Sequence, residues 1–158
     1  MGCMENNLCW LLSQTSHVLM TEMTAALEEL GLTPRSHGVL MTAMTGELTQ
    51  SEIAQQVGLD KTTMVVTVDE LEAAGLAERR PSKADRRARV IAVTKAGERK
   101  AAEGQKLVER TQREVLDTLP ARERDALVGG LSRLVEDRLA KPVECHKAPR
   151  RRAPRVAA

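Results

Sequence analysis

The chain has 158 residues, 29% of them charged, and a net charge of +2, which suits one domain with a real core. No run of about 18 apolar residues exists, so no membrane-spanning helix and no membrane partner are expected. Trp10 is the one aromatic, with no Tyr and no Phe, which argues against recognition of single strands or RNA loops by base stacking and leaves Leu, Val, Met and Ala to build a helical core.

The opening residues, MGCMENN, lack the basic stretch and apolar core of a signal peptide, and Asn6 stands where myristoylation of Gly2 would need Ser or Thr. Three cysteines without CxxC spacing suit reduced thiols, so a cytoplasmic protein is expected. From Asn7 to Leu30, apolar residues at Leu8, Leu11, Leu12, Val18, Leu19, Met23, Leu27 and Leu30 predict a long amphipathic helix, ended by Gly31. Thr33-Pro34 starts a second helix as N-cap and first position, with Val39, Leu40 and Ala43 as its buried face and Gly46 as its end. Thr49 and Glu52 form a capping-box pattern before a short third helix, and Gly58 makes the turn. Asp60 caps a fourth helix whose inward positions are Met64, Val68 and Leu71, with Gly75 as its stop.

Two capped helices joined by so short a glycine turn are a helix-turn-helix. The β-like stretches Ala77–Arg80 and Ala88–Thr94 follow, around the turn-forming loop PSKADRR, and make a wing. Thr94 caps a fifth helix running to about Leu119, with Leu107, Val108, Val115 and Leu116 on one side. Beyond Pro120 a sixth carries Leu127, Leu131, Leu134 and Leu139. The expected fold is mainly α with a small β-wing. Residues 1–32 form an N-terminal dimerisation helix, 33–97 a winged helix-turn-helix module, 98–140 the C-terminal dimerisation helices and 141–158 a disordered basic tail. The apolar stripes of the outer helices exceed what one small module can cover, which predicts a two-fold homodimer. The tail holds six basic residues and one acid, so residues 1–140 are net acidic. Any affinity for nucleic acid must therefore come from a local patch.

That patch has three parts. The fourth helix sets Thr62, Val66 and Asp69 opposite its buried face, with Lys61, Thr63 and Val65 at the flanks. Of these, Lys61, Thr62, Thr63 and Val66 are the candidates to read base edges and phosphates, as the N-terminal half of a recognition helix does. Val66 suits a thymine methyl; its plain alternative is a singly exposed valine. Gln50 and Ser51 lie in the first turn of the third helix, where backbone N–H groups and the dipole hold a phosphate. Lys83, Arg86 and Arg87 sit at the wing tip, suited to a narrow minor groove, with Asp85 placed to anchor an arginine. A winged helix used for protein contacts would carry an apolar, charge-poor wing, which this is not. No Gly-rich phosphate loop, nucleophile elbow or metal-ligand spacing occurs, so neither an enzyme nor a cofactor or metal is expected.

Across roughly residues 5–140 the chain resembles the MarR family of winged-helix regulators. The carriers are LTQSEIAQQVGLDKTTMVVTVDELEAAGLAERR and DRRARVIAVTKAG. The resemblance implies a homodimeric repressor on a pseudo-palindromic double-stranded DNA operator, with Arg87 as the minor-groove arginine, Asp85 as its anchor, and release by a small ligand or an oxidised thiol. Val66 departs from the family, many members of which carry a polar or basic residue there. For the ligand, a small phenolic or aromatic molecule, the candidate pocket residues are Trp10, His17, His37, Met41 and Met44; the plain alternative makes them packing and surface residues. For the thiol, Cys9 in NLCWLL looks like the LCF segment of the family's organic-peroxide-sensing branch. That branch supports its cysteine with tyrosines, of which this chain has none.

Overall fold

A computed structural model of the chain describes residues 7–83 and 87–141. The elements, in order, are α1 (Leu8–Glu28), α2 (Pro34–Ala43), α3 (Gln50–Val57), α4 (Lys61–Ala73), β1 (Ala77–Pro81), β2 (Arg89–Val93), α5 (Lys95–Leu116) and α6 (Ala121–Glu136). The chain divides into two compact units, the first through Leu116 and the second from Asp117.

Local chemistry sets the helix starts. Asn7 accepts from Trp10 N at 3.0 Å and opens α1. Thr33 and Ser36 bond reciprocally, so Ser36 completes a capping box around Pro34. Thr49 and Glu52 form the expected box on α3. Gly58 closes α3 at φ +69°, a left-handed conformation that L side chains adopt at a cost. Helix ends fall earlier than the glycine positions suggest. α2 stops at Ala43 rather than Gly46, because Thr45 N bonds back three residues to Thr42 O, tightening the chain into a turn. α5 stops at Leu116 and α6 at Glu136, each three residues short of expectation.

The core of the first unit is built where α2, α3, α4 and β2 meet the C-terminal end of α1. Leu27, Val39, Leu40, Ile53, Met64, Val68 and Ile91 are all essentially inaccessible to solvent. The inward face expected for α4 (Met64, Val68, Leu71) is the buried one, joined by Thr67, whose hydroxyl donates to Thr63 O at 2.8 Å. α5 buries a seam of Gly97, Ala101, Gly104, Val108 and Thr111, spaced alternately four and three residues apart. Of the four apolar residues expected on that face only Val108 is buried. Neighbours keep the glycines of this seam small: a Cβ on Gly97 would stand 2.0 Å from Leu76 O, and one on Gly104 2.8 Å from His37 Cδ2 of α2.

The wing pairs antiparallel from Ala77↔Val93 to Pro81↔Arg89. A third segment adds to it: Ile91 N donates to Leu48 O at 3.0 Å and Thr49 bridges Val90. The residues that start α3 are thus tied to the wing. In the second unit α6 has no buried residue and exposes Leu127, Val128 and Val135. α1 buries Leu27 alone and exposes Leu8, Trp10, Leu11, Val18 and Met20. No helix among the described residues is long and apolar enough to cross a membrane.

Candidate nucleic-acid interface

The face of α4 expected to meet DNA begins at a well-tied end. Asp60 Oδ1 accepts from Thr62 N at 2.9 Å and Thr63 N at 3.0 Å, and Thr63 Oγ1 donates to Asp60 Oδ2. The Thr63 hydroxyl and backbone hydrogen bonds hold the Asp60 carboxyl below the usual carboxylate range. Thr63 therefore spends its hydroxyl proton on the cap, which leaves Lys61, Thr62 and Val66 as the outward groups. Val66 is 51% exposed in the middle of the helix.

On α3, Ser51 is exposed and Gln50 half-buried. The Thr49 backbone N–H, then the Thr49 hydroxyl, lowers the Glu52 carboxyl from its ordinary value. The Gln50 side chain is already engaged: Arg79 Nε and Nη2 both donate to its Oε1 at 3.3 Å. Arg79, on β1, also pairs with Asp69 at 2.7 Å and with Glu72, whose second oxygen accepts from Arg79 N at 2.7 Å. One arginine thus joins the wing, the recognition helix and the first residue of α3. Sequence reading missed this cluster, although Asp69 and Glu72 stand three residues apart on one helical face, with Arg79 beyond the turn.

At the wing, Lys83 is almost fully exposed and its ammonium lies 3.8 Å from Glu47. Glu47 also accepts from Lys83 N at 3.1 Å and from Ser82 Oγ at 3.2 Å, so this carboxylate pins the wing arm to the loop before α3. Arg87 is exposed at the start of the returning arm. Asp85 and Arg86 lie outside the described residues, as does the basic tail beyond Lys141.

Beside the reading face lies a groove of about 600 Å³ between α1, the first turn of α2 and α4; it is lined among others by His17, Met20, Arg35, Thr62, Val66 and Glu70. Of the five residues expected in a ligand pocket only His17 lines it. His37 is buried instead, donating from Nε2 to Ala101 O at 3.2 Å against Gly104, and burial lowers its pKa more than that bond raises it. Met41 packs on the core, while Trp10 and Met44 are exposed. The sequence did not say which side of α2 His37, Met41 and Met44 would take. Cys9 is a free, exposed thiol in the first turn of α1.

A profile of the MarR family matches residues 30–88, the stretch from the end of α1 into the wing. Among solved structures, CouR from Rhodococcus jostii RHA1 bound to p-coumaroyl-CoA is 27% identical, with a TM-score of 0.79 over 92% of this chain and 100% of that one. CouR bound to a 23-mer DNA duplex is 28% identical, with a TM-score of 0.78 over 85% and 96%. A MarR-family transcriptional regulator from Rhodococcus sp. RHA1 is 26% identical, with a TM-score of 0.77 over 90% and 100%. Residues 30–88 thus match the MarR family, and the fold is similar to that of MarR-family winged-helix regulators of known structure.

Proposed function

We propose that the chain is a cytoplasmic, homodimeric repressor that binds a pseudo-palindromic duplex and is released by a small phenolic or aromatic ligand. The observation that carries this reading is the shared face of α4. Thr62 and Val66 point outward where a recognition helix meets bases, and the same two residues line the groove against α1 and α2. A ligand seated there competes with DNA for the same side chains, so occupancy of one lowers affinity for the other by the same factor in both directions. CouR is known both with DNA and with p-coumaroyl-CoA, which supports one fold serving both partners.

Lys61 and Thr62 supply phosphate and base contacts, Val66 an apolar one, Gln50 and Ser51 a phosphate seat at the start of α3, and Lys83 and Arg87 a second grip along the wing. Asp85 and Arg86 complete that grip in the proposal. The exposed apolar residues of α1 and, separately, those of α6 are the surface a second copy covers. A two-fold dimer then sets its two reading helices to half-sites about one helical turn apart.

The test is selection of a duplex from a random library by the purified protein, followed by anisotropy titration. Enrichment of an inverted repeat, lost on adding p-coumarate or p-coumaroyl-CoA, is the expected result. Arg87→Ala should weaken that complex by about 1–3 kcal/mol. Recovery of no sequence above random DNA sinks the proposal, and a peroxide-sensitive complex that Cys9→Ser makes insensitive replaces the ligand with the thiol as the switch.

A further inference from the structure

Arg79 is a cation on the DNA side of the module, yet its charge is spent. Asp69 and Glu72 both pair with it, so the cluster is net negative and offers no attraction to a phosphate. Its remaining geometry is directed at Gln50. Two guanidinium donors, Nε and Nη2, converge on the single oxygen of the carboxamide, each at 3.3 Å. A carboxamide whose oxygen is held this way has its NH₂ as the other branch, and Gln50 Nε2 finds no acceptor among the described residues. It sits at the first residue of α3, where unpaired backbone N–H groups also face outward.

We infer that Arg79 is a positioning residue that, braced by Asp69 and Glu72 of the recognition helix, orients the Gln50 carboxamide so that its NH₂ group donates to a DNA phosphate. The inference rests on the DNA-binding reading above. A free glutamine has three side-chain rotors to immobilise and can present either its oxygen or its nitrogen to an anion. The guanidinium removes that choice before DNA arrives, so less ordering is left to the binding step. Because the brace runs through α4 and β1, the phosphate seat and the reading helix are held in one rigid relation.

The experiment uses the full-length protein and the duplex selected by wild type, with anisotropy titrations from low to high salt. Gln50→Ala, Arg79→Met and the double variant are compared. Each single change should weaken binding about tenfold and make the slope of log K against log salt shallower by about 0.9 for each phosphate lost. The double variant should match the singles, because both remove the same contact. Effects that multiply to about a hundredfold overturn the inference, as does an unchanged slope in Arg79→Met. Gln50→Glu covers the case in which Arg79→Met fails to fold. It keeps an acceptor for Arg79 but turns a carboxylate towards the phosphate, so it should fold like wild type and bind at least tenfold more weakly. Wild-type affinity in that variant also refutes the inference. Failure of wild type to select any duplex would instead refute the DNA-binding reading itself.

Discussion

Val66→Ser separates a base-reading valine from a merely exposed one. Fully burying a side chain of this class is worth about 1.5–3 kcal/mol. Val66 is 51% exposed, so DNA has about half of that left to gain, roughly 0.8–1.5 kcal/mol for each protomer. That corresponds to a loss of roughly four- to twelvefold per half-site. The fold should hardly notice: valine and serine have similar helix propensities, and exposed substitutions usually stay within about 0.5 kcal/mol. The assay is anisotropy on the selected duplex and on a set in which deoxyuridine replaces one thymine at a time, deleting only the C5 methyl. Wild type should lose affinity at one position per half-site, and Val66→Ser should lose none there. If every deoxyuridine position affects the two proteins equally, Val66 touches no thymine methyl and its role as a reader is wrong.

Three further outcomes are expected. Burial lowers the His37 pKa below its ordinary 6.5, so the unfolded chain takes up the proton more readily; stability is full above about pH 6.5 and declines as the pH falls from there towards the folded value. The melting temperature should therefore drop less between pH 7.5 and 5.5 in His37→Gln, and an equal drop in both proteins refutes the assignment. Gly104→Ala adds a Cβ 2.8 Å from the His37 ring and 3.2 Å from Leu27 Cδ2; the crowding should outweigh the helix-propensity gain of about 1 kcal/mol and leave a net loss of about 1–3 kcal/mol by denaturant titration. Leu11→Glu, on the exposed stripe of α1, should shift the mass measured by light scattering from dimer to monomer and abolish tight DNA binding, whereas an intact dimer would remove this stripe from the interface.

The starts of α2, α3 and α4 were legible in local chemistry. Thr33-Pro34, the Thr49/Glu52 pair and Asp60 act within three or four residues of themselves, and that range needs no tertiary partner. The inward face of α4 was legible too, because Met64, Val68 and Leu71 repeat at the helical period. The seam of α5 was not. It is made of Gly97, Ala101 and Gly104, which an apolar count overlooks and which matter only because Leu76 and Val93 press on Gly97 and His37 of α2 lies against Ala101 and Gly104. His37 shows the same limit: a histidine in an amphipathic stretch suits a pocket wall, until Ala101 O and Gly104 from a distant helix close over it.

The helix-turn-helix and the wing were written in the residue pattern from Leu48 to Gly97, since caps, turns and a hairpin are properties of neighbouring residues. What ties the helix-turn-helix to the wing was decided only in three dimensions. Arg79 meets Gln50 across 29 residues and Lys83 meets Glu47 across 36. Such pairings carry no period and no spacing rule; they exist because the β1–β2 hairpin folds back beside α3 and α4. The sequence by itself determined which groups face outward, and the tertiary structure decided which of them were left available.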